Sequence, residues 1–219
     1  MALFSKKLPE ELERKRNSEK TLKREGVPYI KHLPPIEREM LTTRRSKEVV
    51  AKRAMALCVV AEKGAKVPSV AIAKAIKHLQ ISNGFTDKER AFIDNNKPKP
   101  AELNNYFWRY ESLAVLLWAL GFENNLTRPE KECNYHDLIK PMATQSREKF
   151  MAAAKLRPQN EILDAADLIY RYHWAVKKGA SKKGKYAELD KSVVYERHYA
   201  LNWLIGYSGL GWDEVTTDT

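Results

Sequence analysis

A chain of 219 residues with 43% hydrophobic side chains is long enough to bury a core as a single domain. Two isolated cysteines, Cys58 and Cys133, exclude a disulfide framework and a Cys-rich zinc site. Apolar runs that stop at eight residues, Ala54–Ala61 and Leu113–Leu120, fall far short of the about 20 that a membrane-spanning helix needs. The net charge of +11 is unevenly placed: residues 1–53 carry 15 Lys/Arg against 8 Asp/Glu, residues 177–185 carry five lysines and no acid, and the rest is close to neutral.

Taken in chain order, residues 9–25 predict a helix, with Pro9 at its start, Glu10 and Glu11 in the first turn and Gly26 at the stop. Its apolar content is thin, so it reads as a solvated or partner-bound helix. Residues 1–35 thus form a basic N-terminal arm, and 36–219 a single helical domain. Pro28, Pro34 and Pro35 hold 27–35 extended. A strong helix follows over 46–63, capped by Ser46 and ended by Gly64, with Val50, Ala54, Leu57 and Ala61 on one stripe. Shorter helices are predicted over 69–79 and from the capping box Thr86-Asp-Lys-Glu89 to Ile93.

The most apolar stretch, 101–120, predicts a central buried helix ended by Gly121. After a loop over 122–133, short pieces at 135–142 and 146–155 lead to a long helix over 159–178. The basic loop 179–191 precedes a last helix over 192–207, broken by Gly206, Gly209 and Gly211. No period-2 apolar segment stands out, so the expected fold is all-α: a compact bundle of about seven to eight helices around 101–120, with 159–178 and 192–207 packed on it.

The blocks FWRYESLAVLLWALG at 107–121, KLRPQNEILDAADLIYRYHWAV at 155–176, VVYERHYALNWLIG at 193–206 and the closing WDEVTTDT resemble domain-of-unknown-function family 4272, a mainly bacterial family. GVPYIKHLPPIE at 26–37 and RSKEVVAKRAMAL at 45–57 fit the same template. The resemblance implies an intracellular domain. It carries over no activity, cofactor, substrate or catalytic residue.

Polar residues are dense inside the most apolar blocks: Arg109 and Glu111 in the central helix, Asp164, Asp167, Arg171 and His173 in the long one, Glu196, Arg197, His198 and Asn202 in the last. Asp167 and Arg171 are spaced to pair along one helix, and His198 and Asn202 share a face. A buried polar group without a partner costs about 1–3 kcal/mol. The cluster is therefore either an interhelical lock or a polar pocket of a hydrolase-like enzyme. Metal binding would need His136-Asp137 to join His173, His198, Asp164 and Asp167, and no spaced His motif supports that. No phosphate-binding Gly loop or G-x-S-x-G occurs, so no metal and no cofactor is assigned.

Trp108, Trp118, Trp174 and Trp203 read as core. Trp212, with Asp213 and Asp218, reads as an anchor for the tail, or as the mouth of a pocket. Lys177, Lys178, Lys182, Lys183 and Lys185 form the candidate nucleic-acid contact, although the arm interleaves Glu with Lys/Arg as a solvated helix does. The charged opening Met-Ala-Leu-Phe-Ser-Lys-Lys and the sparse cysteines predict a cytoplasmic setting without a membrane. The first functional reading is a binding, interaction or regulatory domain with a protein partner. The alternatives are the hydrolase-like enzyme and a nucleic-acid-associated protein. Substrate and oligomeric state are not legible.

Overall fold

Four helices end in the same way, and that device sets their lengths. The computed structural model describes residues 8–179 and 188–219. Helix α1, Glu10–Arg24, closes with Gly26 in the left-handed region at φ 69°, so that Gly26 N–H donates to Lys23 and Val27 N–H to Leu22. Helix α2, Lys47–Gly64, and helix α3, Ser69–His78, make the same closure through Lys66 and Gln80, both non-glycine residues at positive φ. The stop of α2 is therefore Lys66. Gly64 serves another purpose: a Cβ there would lie 2.4 Å from the Phe107 amide nitrogen of a neighbouring helix. The Ser46 cap and the Thr86/Glu89 capping box form as expected, the latter opening α4, Asp87–Asp94.

The apolar stretch expected as one helix is two: α5, Pro100–Phe107, and α6, Arg109–Ala119, joined at Trp108. The apolar pattern runs through the joint without Gly or Pro, so the sequence gives no signal for it. Only α6 is central: every residue from Tyr110 to Leu120 is buried. Its Gly121 closure, at φ 79°, repeats the device of α1. The expected 135–142 helix is likewise split into α7, Tyr135–Leu138, and α8, Lys140–Thr144, because Pro141 offers no N–H to the preceding turn. Helix α9, Arg147–Ala153, follows its Ser146 cap, and α10, Gln159–Gly179, and α11, Lys191–Leu204, complete the set.

All regular elements among the described residues are helical. The helices stack in a row: α2 packs on α6, α6 on α11, α11 on α10 and α10 on α1, with α3, α4 and α5 against α2. Helix α10 thus lies one layer out from the central helix rather than on it. Helix α1 is solvated over most of its surface, as its polar sequence predicts, but not all round: Arg14, Ser18 and Leu22, four residues apart, form a buried stripe where α1 meets α10. The tail folds back, and Trp212 and Val215 join the core.

Candidate functional site

The polar residues on α6, α10 and α11 resolve into four separate pairings. Glu111 and Arg197 join α6 to α11 at 2.9 Å, both buried. Glu111 also accepts from the Cys133 amide at 2.5 Å, and Arg197 donates to the Thr127 carbonyl at 2.6 Å. This pair therefore fastens the 122–133 loop as well as two helices. Beside it, Arg109 donates to Glu196 at 3.0 Å, and Ser112 donates to the same carboxylate at 2.8 Å. Burial pushes the Glu196 carboxyl upward, with Arg109 and Ser112 opposing.

On α10, Arg171 grips Asp167 through two 2.8 Å contacts, both side chains fully buried, as the four-residue spacing predicts. The same pair holds the 34–36 segment: Ile36 N–H donates to Asp167 and Arg171 to the Pro34 carbonyl, each at 3.2 Å. Asp164 stands apart. It is exposed and meets Arg14 of α1 at 3.1 Å.

His173 of α10 and His198 of α11 face one another, Nδ1 to Nδ1 at 2.7 Å. Burial, reinforced by Lys177 nearby, lowers His173 to about 4; burial, then His173 and Lys177, lowers His198 to about 3. Both rings are neutral at pH 7. One Nδ1 must carry the proton and the other accept it, so the two rings hold opposite tautomers.

Each ring also lines a different cleft. His173 lines a cleft of about 730 Å³ with Arg109, Glu196, Lys177, Tyr195 and Trp108. His198 lines a more enclosed cleft of about 620 Å³ between the 34–43 segment and the turn after α11. The walls of this second cleft are Pro34, Ile36, Leu41, Tyr170, Ile205 and Tyr207, and its polar side chains include Glu37, Thr42, His198, Asn202 and Asp218. Leu41 and Tyr207 are exposed at its edge, next to exposed Met40. Gly206 shapes that edge: at φ 69°, its Cα comes so close to the Thr43 carbonyl that a Cβ would lie 2.4 Å from the oxygen.

The structure therefore brings Arg109, His173 and Glu196 to one cleft and His198, Asn202 and Asp218 to another. It leaves Glu111, Asp167, Arg171 and Arg197 in paired, buried positions. Asn202 also ties down the tail, donating to the Thr216 carbonyl at 2.8 Å. Trp212 is buried edge-on to Tyr199 and Trp203, with ring centroids 5.1 and 5.3 Å away, and its carbonyl accepts from the Tyr199 hydroxyl. The Asp213 carbonyl accepts from Lys88 at 3.3 Å. Lys177 donates to the Thr219 carbonyl at 3.4 Å, and Lys178 lies in the last turn of the same helix; Lys182, Lys183 and Lys185 lie outside the described residues. Sequence reasoning missed Tyr170, Tyr207, Glu37 and Leu41, since a cleft assembled from a proline segment and a glycine turn has no periodic signature.

Among the described residues, no three His, Cys, Asp or Glu side chains converge as metal ligands, and no helix is long and apolar enough to cross a membrane. The family model described as "Domain of unknown function (DUF4272)" matches residues 14–215, most of the chain. The chain belongs to this family. The DUF4272 match takes in all of the helix row from α2 to α11 and most of α1, and with them the lining of both clefts except Asp218, which lies beyond the matched residues. No curated protein and no solved structure matches the chain.

Proposed function

We propose that this DUF4272 domain is a binding domain and that its ligand enters the cleft between the 34–43 segment and the turn after α11. One observation carries this reading. The charged side chains of α6, α10 and α11 that are not exposed pair with one another, Arg109–Glu196 and Glu111–Arg197 between helices and Asp167–Arg171 along α10, whereas the cleft beside them has apolar walls, the polar side chains of Thr42 and Asn202, carboxylates only at Glu37 and Asp218 among the described residues, and exposed apolar edges at Leu41 and Tyr207. An interhelical charge lock fixes the shape of such a cleft without taking part in chemistry. The two unpaired thiols, Cys58 and Cys133, fit a cytoplasmic setting.

The test is a titration of ¹⁵N-labelled protein with small aromatic probes of neutral, cationic and anionic type. Saturable amide shifts confined to Thr42, Tyr170, Asn202, Tyr207 and their neighbours support the reading. Shifts centred on Trp108, His173 and Tyr195, or none in either cleft, overturn it.

A further inference from the structure

The cleft lined by His198 has a charge opposite to that of the chain. The protein carries 39 Lys and Arg against 28 Asp and Glu, yet among the described residues no Lys or Arg lines this cleft, and the charged side chains that do are the carboxylates Glu37 and Asp218. Arg171, which holds the Pro34 carbonyl on one wall, is itself neutralised by the bidentate contact to Asp167. One Asp218 oxygen accepts from the Thr216 hydroxyl at 2.7 Å, which leaves the other oxygen for a guest.

A second, independent feature points into the same space. His198 is 1% exposed and spends Nδ1 on His173. His198 is one of the residues that line the cleft, and among the described residues its Nε2 has no hydrogen-bond partner. Beside it, the Asn202 amide nitrogen is committed to the Thr216 carbonyl, which turns the amide oxygen to the remaining side as an acceptor. Two tyrosine rings, Tyr170 and Tyr207, complete the lining, and aromatic faces attract cations.

We infer that this cleft takes a small organic cation, a protonated amine carried on an apolar body, with the carboxylates of Glu37 and Asp218 setting the charge preference and His198 Nε2 and Asn202 Oδ1 receiving ammonium hydrogens. The inference rests on the binding-domain reading above and narrows it to a ligand class. It also gives His173 a role as a positioning residue. For His198 Nε2 to accept, the His198 proton must sit on Nδ1 and be donated to His173 Nδ1, which leaves His173 with its N–H at Nε2. Both rings remain uncharged, so neither repels a cationic guest.

The full chain is titrated at pH 7.5 by calorimetry and ¹⁵N NMR with 2-phenylethylammonium, 2-phenylethanol and 3-phenylpropionate. The ammonium is expected to bind on the order of tenfold more tightly than the alcohol, as one charge-assisted hydrogen bond provides, and the propionate not measurably. The double variant Glu37→Gln/Asp218→Asn, both surface changes, is expected to erase that margin while leaving alcohol binding unchanged. His198 nitrogen shifts should report the Nδ1–H tautomer, with Nε2 moving as ammonium is added. Equal binding of ammonium and alcohol at the cleft amides, or a margin that survives the double variant, overturns the cation preference and leaves the binding-domain reading standing. If none of the three probes moves the cleft amides, both fall.

Discussion

His173 and His198 touch Nδ1 to Nδ1 at 2.7 Å while lining opposite clefts, so a single hydrogen bond spans the wall between them. Because both rings are neutral and of opposite tautomer, one cleft is offered an acceptor and the other a donor.

The pair also makes stability depend on pH. Burial holds the folded pKa values at about 4 and about 3, whereas an unfolded histidine titrates near 6.5. As pH falls below about 6.5, the unfolded chain takes up protons that the folded one refuses. The stabilisation is therefore complete above that value and is lost toward pH 4, by up to about 1.4 kcal/mol per pH unit for each proton. Urea unfolding at pH 7.5, 6.0 and 5.0 should show the midpoint falling. The His173→Gln/His198→Gln variant, which does not titrate in this range, should show a flatter profile; an equal slope in both proteins would refute the assignment.

Glu111 and Arg197 illustrate a different economy. Removing one member of a buried pair strands the other, so Glu111→Ala is expected to cost about 3–5 kcal/mol. Replacing both with apolar groups, as in Glu111→Leu/Arg197→Met, should recover more than half of that loss, although the Cys133 amide and the Thr127 carbonyl then lose a partner. Chemical denaturation of the three proteins measures this. A double variant no more stable than Glu111→Ala would show that the pair does more than satisfy itself.

The end of α2 offers two neighbouring substitutions of opposite sign. Gly64→Ala drives a Cβ to 2.4 Å from backbone at Phe107 and 2.7 Å from Tyr106, and is expected to destabilise by about 1–3 kcal/mol. Lys66→Gly relieves a left-handed lysine at φ 63° and is expected to stabilise by up to about 1 kcal/mol. Thermal unfolding should separate the two variants on either side of the wild type.

Trp212 fastens the tail to Tyr199 and Trp203 beneath the Arg53 guanidinium, which lies 5.2 Å from its ring centroid. Trp212→Ala should cost about 3 kcal/mol, and Trp212→Phe should retain much of the packing. The two melting temperatures decide; a silent Trp212→Ala would mean that the tail contributes little to the folded state.

The helices were legible because apolar spacing, caps and stops agree, as at Ser46, Thr86 and Gly121. The all-α class and the Asp167–Arg171 pair follow from local spacing alone. What stayed hidden is what tertiary contact decides. Arg14 and Ser18 look solvated and are buried, because α10 and the 37 carbonyl meet them. Glu111 and Arg197 are 86 residues apart, and no periodicity joins them. His173 and His198 were named as members of one cluster. That they back onto each other and face apart required the relative rotation of two helices.

The joint at Trp108 governs how the molecule comes apart. Helix α6 is clamped between α2 and α11, while α5 leans on α2, as α3 and α4 also do. The break in the helix at Trp108 predicts that the 69–107 region opens as its own cooperative unit while the row from α2 to α10 stays closed. Amide hydrogens of α5 should exchange through this partial opening, and those of Leu113–Leu117 only when the whole chain unfolds. Both clefts lie on the slow side of that division for most of their lining, so a guest would meet walls that outlast the fraying of the other flank.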